Sequence, residues 1–165
     1  DGRDFRLINP KGYVAALVLD NGQVLTEGPA IVQYLADQVP GNSLAPANGT
    51  WERTRLQELL NFITSEIHGG SAPLFNADIP ESTKEIFRQK LFKRLDYLNR
   101  GLVNKDYLLG AFGLADAYLF TVLKWLPFFN IDVKNWPELA SFMKRIEARP
   151  SVQAAIAAEE ATQPV

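Results

Sequence analysis

The chain contains no cysteine, one methionine and one histidine among its 165 residues. Without a thiol there is no cysteine nucleophile, no thiolate metal site and no disulfide within these residues. The same absence fits a cytoplasmic setting. No apolar run approaches the ~20 residues that a bilayer-spanning helix needs, and no signal-peptide pattern opens the chain. The net charge is -2, and there is no Lys/Arg block of the kind that marks an extended nucleic-acid surface. Internal repeats and low-complexity tracts are also lacking. What is present is the composition of an ordinary globular protein, 47% hydrophobic and 22% charged, long enough for one domain and part of another. A core of that size needs no metal or disulfide to hold it together.

Two regions differ in periodicity. The first is short and strand-rich: Val14-Ala15-Ala16-Leu17-Val18-Leu19, then Asp20-Asn21-Gly22, then Gln23-Val24-Leu25-Thr26. Asn-Gly between two strand-like runs signals a two-residue hairpin, because both residues tolerate positive φ. Glu27-Gly28-Pro29 comes next, with Ile31, Val32, Tyr34 and Leu35 at helical spacing. Proline suits a first helical turn, so the spacing predicts a helix over Pro29–Gln38 that stops before Pro40. Two strands and one helix cannot bury both of their faces, so this unit requires a neighbour.

Pro40-Gly41-Asn42-Ser43-Leu44-Ala45-Pro46 reads as a linker. Beyond it the pattern is helical. Thr50 caps a helix carrying Trp51, Leu56, Leu59, Leu60, Ile63 and Ile67 to a core and ending at Gly69-Gly70. Ser71 to Pro80 reads as a loop. A long helix over Ser82–Leu102 carries Ile86, Phe87, Leu91, Leu95 and Leu98 as its apolar stripe. A third helix over Leu114–Leu126, apolar on most sides, is expected at the centre. Two shorter helices cover Pro137–Ala148 and Ser151–Glu159, which makes five.

The residues resemble a known family. Asn9-Pro10-Lys11-Gly12-Tyr13-Val14 before a hairpin, then Leu25-Thr26-Glu27-Gly28 opening a helix, is similar to the second half of the N-terminal domain of a glutathione transferase. Leu114-Ala115-Asp116-Ala117-Tyr118-Leu119-Phe120, Trp136-Pro137-Glu138-Leu139 and Arg149-Pro150-Ser151-Val152 match that family's C-terminal helices in order. Asn61 and Glu66-Ile67-His68 bring the pattern nearest to the bacterial beta class. The resemblance implies an α/β thioredoxin-like domain, partial here (1–40), a linker (41–49) and an all-helical C-terminal domain (50–165). It also implies that roughly the first fifth of the expected chain, with the residue that contacts the glutathione sulfur, precedes Asp1.

Glutathione is an extended tripeptide with two carboxylates, an amine and a thiol. By resemblance, the Val14 backbone pairs with its cysteinyl unit as an added strand. Glu27 accepts the γ-glutamyl amine, and the Gly28 amide, at a helix start, takes the γ-glutamyl carboxylate. From spacing alone, Glu27 reads equally as an acid complementing a helix terminus and Val14 as an ordinary strand residue. His68, seven residues after Asn61, shares a helical face with it. Without the family, a lone histidine there is a favourable dipole contact, and no ligand spacing supports a metal. The beta class implies that His68 and Asn61 line the cleft beside the sulfur, with Glu66 close by. Phe75 and Trp125 are candidate walls of an apolar pocket.

Three departures stand out. Ala15 occupies the place of the family's cis-proline, and a cis bond there is costly enough that the turn is expected to relax to trans or sit strained, weakening glutathione binding. Gly113 replaces the Ser or Thr cap of the buried helix, weakening the cap without abolishing it, while Asp116 keeps its structural role. Gly69 stands where the class often has a basic residue. The implied function is conjugation of the glutathione thiol to a hydrophobic electrophile in detoxification, by a cytoplasmic homodimer with glutathione as co-substrate and no metal. A non-catalytic binding protein of the same family is the alternative. A thiol-disulfide activity would require a cysteine upstream.

Overall fold

The computed structural model describes residues 2, 4–39 and 41–162. Asp1, where the sequence opens, and Pro40, the expected helix stop and first linker residue, lie outside the described residues. The architecture is a small sheet and one helix, then a helical bundle.

Strands β1 (Ala16–Val18) and β2 (Val24–Thr26) pair antiparallel, with Leu17 opposite Leu25. The connection is not the two-residue turn expected. Leu19 N donates to Gln23 O at 2.8 Å, and of Asp20, Asn21 and Gly22 only Gly22 has positive φ, at 82°. Asn21 instead accepts the Gln23 amide through its side chain at 3.0 Å. This is a three-residue loop in which one glycine meets the left-handed requirement. Helix α1 (Gly28–Asp37) comes after β2, with Pro29 in its first turn, and packs on both strands and on the central helix of the bundle.

Helix α2 (Trp51–Phe62) starts at Thr50, whose hydroxyl accepts the Arg53 amide at 3.2 Å. Trp51, in its first turn, is 70% exposed and does not reach the core as expected, and the helix does not end at Gly69-Gly70. From Ile63 to His68 the chain widens into a π-helical segment and then continues as α3 (Gly69–Phe75), so part of the expected loop is helical and the bundle has six α-helices among the described residues. The glycines permit the continuation: a Cβ on Gly69 would lie 3.1 Å from the Thr64 carbonyl. Buried Ser71 donates its hydroxyl to His68 O at 2.9 Å, close to where Pro73 gives the helix no amide.

Helix α4 (Glu81–Gly101) buries Leu91, Leu95 and Leu98. Ile86, expected in the same stripe, is 57% exposed; five residues before Leu91, it lies about 140° around the helix from it. Helix α5 (Leu114–Leu123) is central, burying Leu114, Ala115, Asp116, Leu119, Phe120, Val122 and Leu123. It ends earlier than expected and passes into a 3-10 turn, Leu126–Phe129, which contains Pro127.

At its start the Asp116 carboxylate accepts Gly113 N and Leu108 N, each at 2.9 Å. Burial raises the Asp116 carboxyl above its ordinary pKa against the pull of these amides. A Cβ on Gly113 would sit 2.9 Å from Leu44 O, which already accepts the Leu114 amide. Glycine at this cap is what lets the linker lie against α5.

Helix α6 (Pro137–Glu147) is tied to α4 at its start: Asn99 Oδ1 accepts Glu138 N at 2.9 Å, and Trp136 donates to Asp96 at 2.7 Å. Helix α7 (Pro150–Thr162) closes the bundle. Among the described residues no helix is long and apolar enough to cross a membrane.

Candidate functional site

A cleft of about 500 Å³ opens at the seam between the β-hairpin region and the bundle. Its first wall is made by the segment before β1. Asn9, 2% exposed, donates to the Tyr13 carbonyl at 2.6 Å and accepts the Lys11 amide at 3.2 Å. These bonds fold residues 9–13 into a tight loop that delivers Val14 to the cleft rim, where it is 85% exposed. The Val14–Ala15 peptide bond is cis, so of the two outcomes expected for this turn, relaxation to trans is not the one seen.

Glu27 and Gly28 stand beside Val14. Glu27 is the N-cap of α1 and has a φ of 72°, a left-handed conformation that non-glycine residues adopt rarely and that clusters at binding sites. Its carboxylate pairs with Lys11 Nζ, which also donates to Thr26 Oγ1 at 3.1 Å. Both side chains are largely exposed, so the pair adds little stability. Gly28 opens a ten-residue helix, where backbone amides are directed at the cleft side of the turn.

The second wall is helical. His68, Thr64, Gly69 and Ala72 come from the π segment and α3, and Tyr118 comes from α5. His68 Nδ1 lies 2.7 Å from the Tyr118 hydroxyl. The imidazole also meets Trp125 edge-to-face, with centroids 4.8 Å apart. Burial lowers the His68 pKa below its ordinary 6.5, so the ring is neutral at pH 7. Burial raises the Tyr118 pKa against the pull of a hydrogen bond with Thr64, and the nearby Glu27 charge adds to the rise.

Of the six residues singled out in the sequence, Val14, Glu27, Gly28 and His68 line this one cleft, whereas Asn61 and Glu66 do not. The π segment is the physical reason. Seven residues of regular helix bring the chain back to the same face, but each π turn holds about one residue more and rotates the later side chains away from the earlier face. Asn61 is exposed. Glu66 is held by Arg94 at 2.7 Å, in a separate surface hollow with Phe62, Lys93 and Tyr97. Phe75 and Trp125 do not line the cleft either. They form an aromatic row leading away from His68, with centroids 5.5 Å apart and buried Phe129 4.6 Å beyond Phe75.

The structure adds Asn9, Thr64 and Tyr118 to the cleft. Thr64 lies one turn before His68, a spacing that could have flagged it. Tyr118 is fifty residues from His68, and nothing local in the sequence links them.

A pocket of this kind can take an extended, charged peptide along the Val14–Gly28 wall and place a reacting atom near a neutral imidazole. Residues 62–150 match the model of the glutathione S-transferase C-terminal domain. The chain is 46% identical over 161 residues to the glutathione S-transferase GstA of Escherichia coli O157:H7, covering 96% of this chain and 80% of that protein. Its fold is similar to a ternary complex of BphK, a bacterial glutathione transferase (51% identity, 96% of this chain, 80% of that one, TM-score 0.94). It is also similar to a sphingomonad glutathione S-transferase complexed with glutathione (41% identity, 96% and 80% coverage, TM-score 0.92). The chain belongs to the glutathione S-transferase family.

Proposed function

We propose that the cleft binds glutathione and that the protein conjugates the glutathione thiol to hydrophobic electrophiles. The observation that carries this reading is the convergence of Val14, Glu27, Gly28 and His68 on one cavity of about 500 Å³. In this arrangement the peptide pairs with the Val14 backbone. The γ-glutamyl ammonium takes the Glu27 carboxylate, displacing or sharing it with Lys11, and the γ-glutamyl carboxylate takes the Gly28 amide. A hydrogen bond from the neutral His68 ring to the thiolate favours the ionised sulfur. The sulfur then attacks the electrophilic carbon: a C–S bond forms, the bond to the leaving group breaks, and the leaving group departs with the electron pair. The exposed face of Phe75, next to Trp125 and outside the cleft itself, suits an apolar co-substrate.

We further propose a cytoplasmic homodimer acting in detoxification. Asn61 and Glu66 enter this reading only through a second copy, since both sit on the surface away from their own cleft. A monomeric mass in solution would remove that part. The main test is retention on glutathione resin, then conjugation of a chlorinated aromatic. Glu27→Gln is expected to lower retention, and a protein that neither binds nor turns over is not a transferase.

A further inference from the structure

The bond between His68 and Tyr118 joins two helices at the cleft and involves only one of the two imidazole nitrogens. Nδ1 is 2.7 Å from the Tyr118 hydroxyl. Among the described residues no protein group bonds Nε2. The ring is held by this one bond and by the edge-to-face contact with Trp125 at 4.8 Å. A neutral imidazole carries its proton on one nitrogen only, and the partner of one nitrogen decides what the other presents.

We infer that Tyr118 is a positioning residue that sets the tautomer of His68: its hydroxyl donates to Nδ1, leaving the ring proton on Nε2 for the reacting sulfur. This rests on the glutathione reading of the cleft, which it deepens. Either group could formally donate, but the chemistry favours one direction. A phenol is the better donor and an imidazole nitrogen the better acceptor. Thr64 also bonds the Tyr118 hydroxyl, but it gives its own proton to the Leu60 carbonyl at 2.7 Å, so toward Tyr118 it is an acceptor in competition with Nδ1, and the imidazole nitrogen is the stronger of the two. Both partners stay neutral around pH 7, His68 because burial disfavours its cation and Tyr118 because burial and Glu27 disfavour its anion. The facing charges are few: Glu27, paired with Lys11, stands on the opposite wall. The reverse tautomer would leave a bare Nε2, which accepts hydrogen bonds and repels a thiolate.

His68 is the only histidine, so ring-labelled histidine yields one pair of nitrogen signals with no assignment problem. Near neutral pH the full chain is expected to show Nε2 protonated and Nδ1 bare. Tyr118→Phe, which keeps the ring packing, is expected to move both signals towards a mixture of tautomers. It should lower kcat about tenfold while the KM for glutathione stays within about twofold. A protonated Nδ1 in the unaltered protein, or a Tyr118→Phe variant with unchanged ring signals and kcat, overturns the inference. The nitrogen spectrum of the unaltered protein needs neither activity nor a variant that folds. Bare Nδ1 with no response of Nε2 to added glutathione would instead overturn the glutathione reading, and with it the role at the sulfur, while leaving the Tyr118 bond standing.

Discussion

The helical region and the hairpin region are built to different standards. In the first, Ile63, Leu95, Leu119, Leu139, Phe142 and Ile146 are 0% exposed and form one continuous core. In the second, Ile31 and Ala36 are the apolar side chains that reach burial among the described residues up to 39, and the strands keep Val18 at 54% and Val24 at 42% exposure. One region makes its own core, and the other obtains its burial by docking α1 on α5. The cleft lies between them, so its two walls differ in character. The helical wall holds its reactive groups by fixed contacts, as in the His68–Tyr118 pair. The hairpin wall presents a loop, a left-handed Glu27 and an exposed ion pair. That division gives rigid placement of the imidazole on one side and an open surface for an extended peptide on the other.

The contrast is broken most strongly from the helical side. Phe142→Ala removes a fully buried ring from α6, where Leu139 and Ile146 leave little room to collapse. It is expected to cost about 3–5 kcal/mol in denaturant unfolding. The seam comes next. Gly113→Ser adds the capping hydroxyl that family members carry, worth a few tenths of a kcal/mol over glycine. Its Cβ, however, meets Leu44 O at 2.9 Å, backbone rather than a movable side-chain end. Overpacking of this kind costs about 1–3 kcal/mol, so the substitution is expected to destabilise, and a higher thermal midpoint would refute the close approach.

A subtler test of the seam uses pH. Arg53, 4% exposed, donates through both terminal nitrogens to Asp37 at 2.9 and 2.8 Å and to the Pro46 carbonyl at 3.0 Å, fastening α1 and the linker to α2. The hydrogen bonds from Arg53 hold the Asp37 carboxyl below its ordinary pKa of 3.8. A lowered carboxyl contributes stability at pH above its unfolded value and loses it as pH falls through the folded one. Arg53→Lys cannot reproduce the fork. Its unfolding midpoint is expected to lie below that of the unaltered protein at neutral pH and to converge with it under acid.

Much of the molecule is legible in its sequence because it is local. The hairpin, the Thr50 cap, the central α5 and the Glu27-Gly28 helix start each depend on a few neighbouring residues, and Glu27, Gly28, Val14 and His68 share one cleft. Legibility fails where geometry accumulates. One π segment moves Asn61 off the face of His68 and carries the helix through Gly69-Gly70. The Tyr118 contact crosses fifty residues. The reason for Gly113 lies in the carbonyl of Leu44, a linker residue with no sequence pattern pointing to α5.

The smallest expected effect sharpens the comparison from the other side. Val18 stands opposite Val24 in the hairpin register, and both are exposed. In the helical region a change from an apolar to a hydroxyl side chain at a buried site would strand a polar group and cost ~1–3 kcal/mol. In the hairpin, Val18→Thr keeps the β-branched shape and leaves its hydroxyl in water, so the loss should stay within about 0.5 kcal/mol. Glutathione binding should not change, because neither residue lines the cleft. A loss as large as that of Gly113→Ser would mean that this strand face is covered in solution and that the hairpin region is not as open as its exposures indicate.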